Sequence, residues 1–269
     1  NRRKEKIFKV IDEAGVQEGA RVLELGFGAG QMARMLLERG FEYTGIDISQ
    51  NLTELAKARC DQVNTTRSAR FVLGNLDKEL PCRDSSFDLV LISGVLHYLY
   101  NPTHCLKEAR RVLVENGSLV IGQRTAFNIG DFCYVRGLVR SFIYWAFREE
   151  HELFPSFKSI LCDSKLGRIF DRYREKEWMN SAFMQKGHDE YRYVLQKNLF
   201  TLQKLKKLLR ENGFKVAGIE GAYYGFSENP RYFDANIRLD NVLEPVARRP
   251  VGSFIRGFAR INVFRGEKI

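Results

Sequence analysis

No run of apolar residues in this chain approaches the ~20 needed to cross a bilayer, so the sequence is not read as a helical membrane protein. The opening Asn-Arg-Arg-Lys-Glu-Lys is followed by no apolar stretch, and is not read as a secretory signal. The cysteines at 60, 82, 105, 133 and 162 form no Cys-x-x-Cys pair and no metal-ligand spacing. Reduced thiols in a cytoplasmic protein, with no metal, are the expectation. Internal repeats and low-complexity tracts are also lacking.

What remains is an ordinary globular composition with one bias. At 269 residues, 44% apolar and 28% charged, the chain is long enough for one large domain with a substantial core. The bias is a net charge of +10 with pI near 9.4. A basic balance favours nucleic acid, anionic lipid or acidic substrates as partners. Lysine and arginine are spread along the chain, so a solvated basic surface without a partner is the other reading.

The stretch from Arg21 to Ser49 organises the rest. Val22, Leu23 and Leu25 form a short apolar run that breaks at Gly26, and Gly26-Phe27-Gly28-Ala29-Gly30 predicts a tight turn. Met32, Ala33, Met35, Leu36 and Leu37 then follow helical spacing up to Gly40, and a second run from Tyr43 to Ile46 ends in Asp47. Strand, glycine turn, helix, strand and acid make one βαβ unit with a nucleotide-sized slot at the carboxyl ends of its strands. The spacing is Gly-x-Gly-x-Gly, however, and lacks the third small residue of the dinucleotide form; that position is Gln31. Glu24, two residues before the first glycine, disfavours a pyrophosphate and favours a cationic or amino-bearing ligand. A nicotinamide oxidoreductase is excluded on those two residues.

Further along, the rhythm of a parallel α/β sheet continues. Residues 3–14 carry Ile7, Val10, Ile11 and Ala14 at helical spacing, and Ser49 is a candidate N-cap for a helix from Gln50 to Cys60. Strands are expected at Ala69–Leu73, Phe87–Ile92, Ser118–Gly122 and Phe214–Ile219. A last antiparallel strand is expected at Arg260–Arg265, after the Pro- and Arg-rich stretch from Pro245 to Gly257. Leu106, Ala109, Arg110 and Leu113 mark a helix before the Asn116-Gly117 turn; Thr201 is expected to cap another, with Leu202, Leu205, Leu208 and Leu209 inward. Residues 124–200 break the rhythm. They hold about half of the aromatic residues, including Trp145 and Trp178, interleaved with Arg and Lys. Two amphipathic helices are expected there, at 132–147 and 168–183, as an insertion too long to be an idle loop.

Glu24-Leu25-Gly26-Phe27-Gly28-Ala29-Gly30 followed by Asp47 resembles the motif pair of class I S-adenosylmethionine-dependent methyltransferases. Phe71–Asn75, Leu80-Pro81, Ser86–Val90, Ser93–Leu99 and Leu106–Gly122 agree in order and spacing with the small-molecule branch. The resemblance implies a Rossmann-like, seven-stranded, mostly parallel sheet with a helical cap. Residues 1–123 and 201–269 would form the core, and 124–200 would roof the acceptor pocket. It implies S-adenosylmethionine as cofactor, leaving as S-adenosylhomocysteine. Gly26, Gly28 and Gly30 would form its turn, Glu24 would stand near its amino end and Asp47 would hold its ribose. Ile48, Asn75 and Leu76 would lie around the adenine, and Ser93 beside the methionyl part. Asn75 stands where the family commonly carries Asp; its side-chain carbonyl still accepts a hydrogen bond.

Methyl transfer from a sulfonium is an in-line displacement in which alignment and exclusion of water matter most. His97 and Tyr98 are the catalytic candidates, His97 as base or slot lining and Tyr98 as an aromatic face toward the sulfonium. His104 is expected at a helix start, while His151 and His188 fall in the insertion. The aromatic insertion points to a hydrophobic small-molecule or lipid-like acceptor, with O-methylation as the first reaction considered and C- or N-methylation open. Phe142–Phe147, set among Arg136, Arg140 and Arg148, also suits peripheral contact with an anionic membrane. Two rivals stand beside this reading. An RNA or protein methyltransferase is prompted by the charge but opposed by Ser93-Gly94-Val95-Leu96-His97, so nucleic acid is not expected as partner. A non-catalytic binding module of the same fold is opposed by the intact glycine turn and Asp47.

Overall fold

The computed structural model of the chain describes residues 2–63, 68–124, 200, 202–222, 245 and 261–269. In chain order these form α1 (Arg2–Glu13), β1 (Arg21–Leu25), α2 (Gln31–Glu38), β2 (Glu42–Asp47), α3 (Gln50–Cys60), β3 (Ala69–Leu73) and β4 (Phe87–Ser93). A 3-10 turn (Leu96–Tyr98), α4 (Pro102–Val112), β5 (Leu113–Arg124), α5 (Leu202–Glu211), β6 (Phe214–Ala222) and β7 (Ile261–Lys268) follow. The seven strands make one sheet in the order β3-β2-β1-β4-β5-β7-β6. β1 to β5 are parallel; β7 runs antiparallel between β5 and β6. This is the Rossmann-like α/β architecture that the alternating pattern predicts.

Alternation along the strands builds two apolar layers, one on each face of the sheet. Leu23, Leu25, Val90, Ile92, Leu119 and Ile121 face α4 and α5; Val22, Leu89, Leu91 and Val120 face α1, α2 and α3. All ten are fully buried, and each contributes on the order of 2 kcal/mol of transfer free energy. Order reverses at β1, whose two neighbours are β2 and β4. That switch opens a crevice at the carboxyl ends, where ligands of such sheets bind.

The ends of the elements follow local chemistry. Ser49 caps α3 by accepting from the Leu52 amide, and Asn101 caps α4 through the His104 amide with Pro102 in the first turn. No side chain caps α2, which starts after left-handed Gly30. Asn116, at φ 64°, turns the chain beside Gly117 as expected. The strand assignment nevertheless runs through that turn, from Leu113 to Arg124, because Leu113 already pairs with Phe87 before the register jumps to Leu89–Ser118. Leu113, expected on the helix, therefore opens a strand. The sixth and last strands also run beyond the expected ends, to Ala222 and Lys268, because their mutual antiparallel ladder continues there. The cap expected at 124–200 (Arg124 and Phe200 apart), the two helices expected in it, its tryptophans, the expected Thr201 cap and nearly all of 245–257 lie outside the described residues.

Helix α1 is tied to the far end of the sheet by ions as well as by Ile7, Val10 and Ile11. Lys6 and Lys9 reach Glu220 of β6 at 3.3 and 2.6 Å. Burial pushes the Glu220 carboxyl up, but the Lys9 hydrogen bond and the two ammonium charges outweigh it and hold the pKa below its ordinary value. A depressed carboxyl stabilises the fold above its unfolded pKa, and that contribution disappears as pH falls through the folded value. Glu220→Gln is therefore expected to cost about 1–3 kcal/mol near neutrality, between exposed and fully buried pairs. In urea titrations, the gap between wild type and variant closes as the pH is lowered toward about 3.

Candidate functional site

At the crevice the glycine turn leaves β1 and folds over the tip of β2. The Gly26 amide donates to Ile46 O at 2.8 Å, and the turn closes with Gly30 N on Phe27 O. Gly26, Gly28 and Gly30 all have positive φ. A Cβ at Gly26 would strike Val95 at 2.7 Å and one at Gly30 would strike Ala56 at 2.7 Å, whereas one at Gly28 would meet nothing within 4 Å. The outer glycines therefore serve packing, and the middle one faces open space.

Asp47 ends β2 inside this turn and is 8% exposed. Its Oδ2 accepts from Gly28 N at 2.8 Å and its Oδ1 from Ser49 N at 3.0 Å. One carboxylate thus fastens the turn to the start of α3 and keeps further lone pairs to offer. Beside it the strand tips are apolar and open: Ile48 and Leu73 are each 56% exposed. Leu76 is buried, and Asn75 Oδ1 accepts from the Asp77 amide at 2.9 Å. The Asn75 carbonyl that the sequence offers to a ligand is thus already engaged once, in a local turn.

Glu24 lies on the face of β1 beneath α1, α2 and α3, only 2% exposed. Tyr43 Oη donates to its Oε2 at 2.7 Å. Burial raises the carboxyl to about 7, against the Tyr43 hydrogen bond. Ser93 Oγ, at the end of β4, is buried with no hydrogen-bond partner, an orphan of the kind a bound ligand satisfies. Arg3 of α1 lies over the neighbouring Gly94, its Nη1 3.3 Å from where a Cβ would stand, and its charge acts on both Glu24 and His97.

His97 is buried in the 3-10 turn after β4, with the Tyr98 ring centroid 3.9 Å from its own. Gln123 Nε2 donates to Arg124 O and lies 3.0 Å from His97 Nδ1. Because the carbonyl only accepts, the amide orientation is fixed, and the imidazole proton is assigned to Nε2. Burial lowers the His97 pKa to about 4, so the ring is neutral near physiological pH. His104 sits in the first turn of α4, at the helix start as expected, half-buried with its Nε2 lacking a hydrogen-bond partner. His151 and His188 lie outside the described residues. The three described cysteines, 60, 82 and 105, are free thiols, and no cluster suited to a metal occurs among the described residues.

Reading the sequence missed Arg3, Tyr43 and Gln123. Only Tyr43 left a signal: Tyr43-x-Gly45 puts a phenol and a bare backbone position on one face, opposite Glu24.

Residues 23–121 match the model of a family described as a methyltransferase domain. A demethylmenaquinone methyltransferase of Tropheryma whipplei (strain Twist) is 36% identical over 107 residues, covering 40% of this chain and 43% of that protein. The chain thus matches less than half the length of that relative. Among solved structures, an S-adenosylmethionine-dependent methyltransferase from Mesorhizobium loti is similar with a TM-score of 0.56 at 17% identity, over 98% of this chain and 96% of that one. The [4+2]-cyclase SpnF is similar with a TM-score of 0.54 at 18% identity, over 98% and 80%. The fold is that of Rossmann-like α/β sheets, and residues 23–121 are similar to a methyltransferase-domain family. The residues present fit S-adenosylmethionine, the molecule named for that Mesorhizobium loti structure. They offer open space at Gly28, a carboxylate at a strand tip, an exposed apolar shelf, a buried acid suited to an amino group and an orphaned hydroxyl.

Proposed function

We propose that this protein transfers a methyl group from S-adenosylmethionine to a hydrophobic, lipid-like acceptor, with O-methylation as the first reaction to test. The observation that carries the reading is Asp47, a nearly buried carboxylate at the topological switch, holding Gly28 and still able to accept from a ribose. When bound, the cofactor supplies a methyl group already activated on a sulfonium. The chain's own residues bind and align. Asp47 accepts from the ribose hydroxyls, Ile48 and Leu76 line the adenine with Asn75, Glu24 meets the amino group and Ser93 the methionyl part. Gly28 lets the backbone pass close, in a turn that Gly26 and Gly30 allow to pack against Val95 and Ala56.

His97 and Tyr98 flank the acceptor side. With Nδ1 accepting from Gln123, His97 keeps its proton on Nε2 and is not free to act as a base, so in O-methylation the acceptor hydroxyl's proton would pass to solvent. The lipid-like acceptor is supported by the quinone in the relative's name and by the aromatic, arginine-interleaved composition of 124–200. The composition of that segment also suits contact with an anionic membrane surface. Among the described residues no helix is long and apolar enough to cross a membrane.

Calorimetric titration with S-adenosylmethionine and S-adenosylhomocysteine tests the cofactor half, with micromolar binding expected. Transfer of labelled methyl to demethylmenaquinone, in its reduced and oxidised forms, and to lipid and phenolic extracts tests the rest. Binding with no transfer to any acceptor would favour a non-methylating role on this fold, of which SpnF is a similar example. A folded protein that binds neither ligand sinks the reading. Because His97 is neutral from about pH 5 upward, the transfer rate is expected to show no inflection from it near neutrality. Gln123→Glu places a carboxylate beside the ring, raises its pKa and brings such an inflection into view.

A further inference from the structure

We propose that Tyr43 is a positioning residue for the cofactor site: it holds Glu24 by one oxygen and leaves the other for the cofactor's amino group, so that binding the amino acid end is coupled to release of a proton. This rests on the reading of Glu24 given above, and assigns a role to a residue outside the family motifs.

The geometry begins with a missing side chain. Glu24 pairs with Gly45 across β1 and β2, and Tyr43 lies two residues before Gly45 on the same face. A Cβ at Gly45 would fall 2.6 Å from Tyr43 Oη and 2.6 Å from Phe27 Cδ1. The phenol therefore runs along the sheet through the space that Gly45 leaves, and ends on Glu24 Oε2 at 2.7 Å. Tyr43 is 1% exposed and packed against Phe71, whose ring meets Phe27 of the glycine turn edge to face at 5.3 Å. An aromatic floor thus joins turn, phenol and acid. Of the two Glu24 oxygens, it is Oε2 that Tyr43 engages.

Every group facing Glu24 bears on where its proton sits. Arg3 of α1 lowers its pKa and Asp47 of β2 raises it, while the Cys60 thiol of α3, pushed up to about 11, stays neutral. The Tyr43 hydroxyl is held far above its ordinary value by burial and by Glu24, so it remains a donor at every pH of interest. Burial is the dominant push on Glu24 and leaves it titrating at about 7, where an incoming ammonium displaces its proton. Removing the phenol oxygen removes the strongest opposing pull, and the carboxyl then holds its proton to higher pH.

The experiment is calorimetry from about pH 5.5 to 9 on wild type, Tyr43→Phe and Glu24→Gln. The probes are S-adenosylhomocysteine, which carries the amino group, and 5′-methylthioadenosine, which keeps adenine and ribose but lacks the amino acid. Wild-type affinity for S-adenosylhomocysteine is expected to fall about tenfold per unit below neutrality, with proton release visible in buffers of different ionisation heat. Tyr43→Phe moves that midpoint upward, loses roughly three- to tenfold affinity near pH 7 and recovers it near pH 9. Glu24→Gln flattens the profile. Binding of 5′-methylthioadenosine follows neither pH nor Tyr43. In ligand-free protein the Glu24 carboxyl carbon resonance, assigned by its loss in Glu24→Gln, moves its midpoint upward in Tyr43→Phe. Superimposed profiles for wild type and Tyr43→Phe, or equal losses for both ligands, overturn the proposal. Wild type that binds neither ligand overturns the cofactor reading and the proposal with it, while the resonance still reports whether Tyr43 controls Glu24.

Discussion

Asp47→Ala is expected to abolish measurable calorimetric binding of S-adenosylmethionine, a loss of about 100-fold or more. The side chain does two jobs. Toward the protein it accepts from the Gly28 and Ser49 amides at 2.8 and 3.0 Å, charge-assisted contacts of roughly 1.5–3 kcal/mol each. Toward the ligand it offers its remaining lone pairs to a ribose. Alanine removes the ribose contacts and also frees the turn that carries Gly28, so alignment and affinity fall together. Asp47→Asn is expected to be nearly as severe, because its amide nitrogen cannot accept and faces an N–H with a donor. Unlike Tyr43→Phe, both variants weaken 5′-methylthioadenosine as much as the full cofactor. Affinity for S-adenosylmethionine within threefold of wild type in Asp47→Ala would overturn the assignment.

The largest effect on folding is expected at Gly30. Its φ of 71° strains any residue with a Cβ, at about 1–2 kcal/mol. An added Cβ would also sit 2.7 Å from Ala56 Cβ and 2.8 Å from Ala56 Cα, where α2 and α3 touch. Backbone cannot swing aside as a side chain can, so overpacking adds about 1–3 kcal/mol. Gly30→Ala is thus expected to lose about 2–5 kcal/mol in urea unfolding. Ala56→Gly in the same chain recovers only part, since the added methyl still crowds the α3 backbone and the dihedral strain persists. Gly28→Ala is the contrast. It shares the positive φ but meets open space, so stability falls by only about 1–2 kcal/mol while cofactor binding suffers. A loss under about 0.5 kcal/mol for Gly30→Ala would rule out the close approach of the two helices.

These two positions show how far the sequence could be read. Asp47 was legible because an acid ending an apolar strand has few other uses, and the glycines because a strand broken by Gly-x-Gly-x-Gly has to turn. The division of labour among the glycines was not legible: that Gly30 abuts Ala56 while Gly28 faces a void depends on helices meeting in space. Tyr43 looked like one more apolar strand residue, since periodicity says which face a side chain takes and not what its hydroxyl reaches. Gln123 was invisible for a related reason. Its partner His97 arrives from a different strand end, and the sequence separation of the two carries no periodic signal. The seven strands themselves were all visible in hydrophobic runs. Their ends were less so, because a ladder ends where its partner does, as β6 and β7 show.

The placing of β7 has a consequence for the order of events as the chain is made. β1, β2, β3 and β4 pair only with one another or with β5, so the crevice strands find their neighbours while the chain is still emerging. β6 does not. Among the described residues it has one neighbour, β7, the latest of the seven strands in chain order. Until Ile261–Lys268 has been synthesised, β6 is an unpaired edge with apolar residues to hide, and Glu220 on it has no settled sheet from which to receive Lys6 and Lys9 of α1. Helix α1, which brings Arg3 beside Gly94 at the end of β4, is therefore locked down last, by a strand that supplies none of the site residues named above.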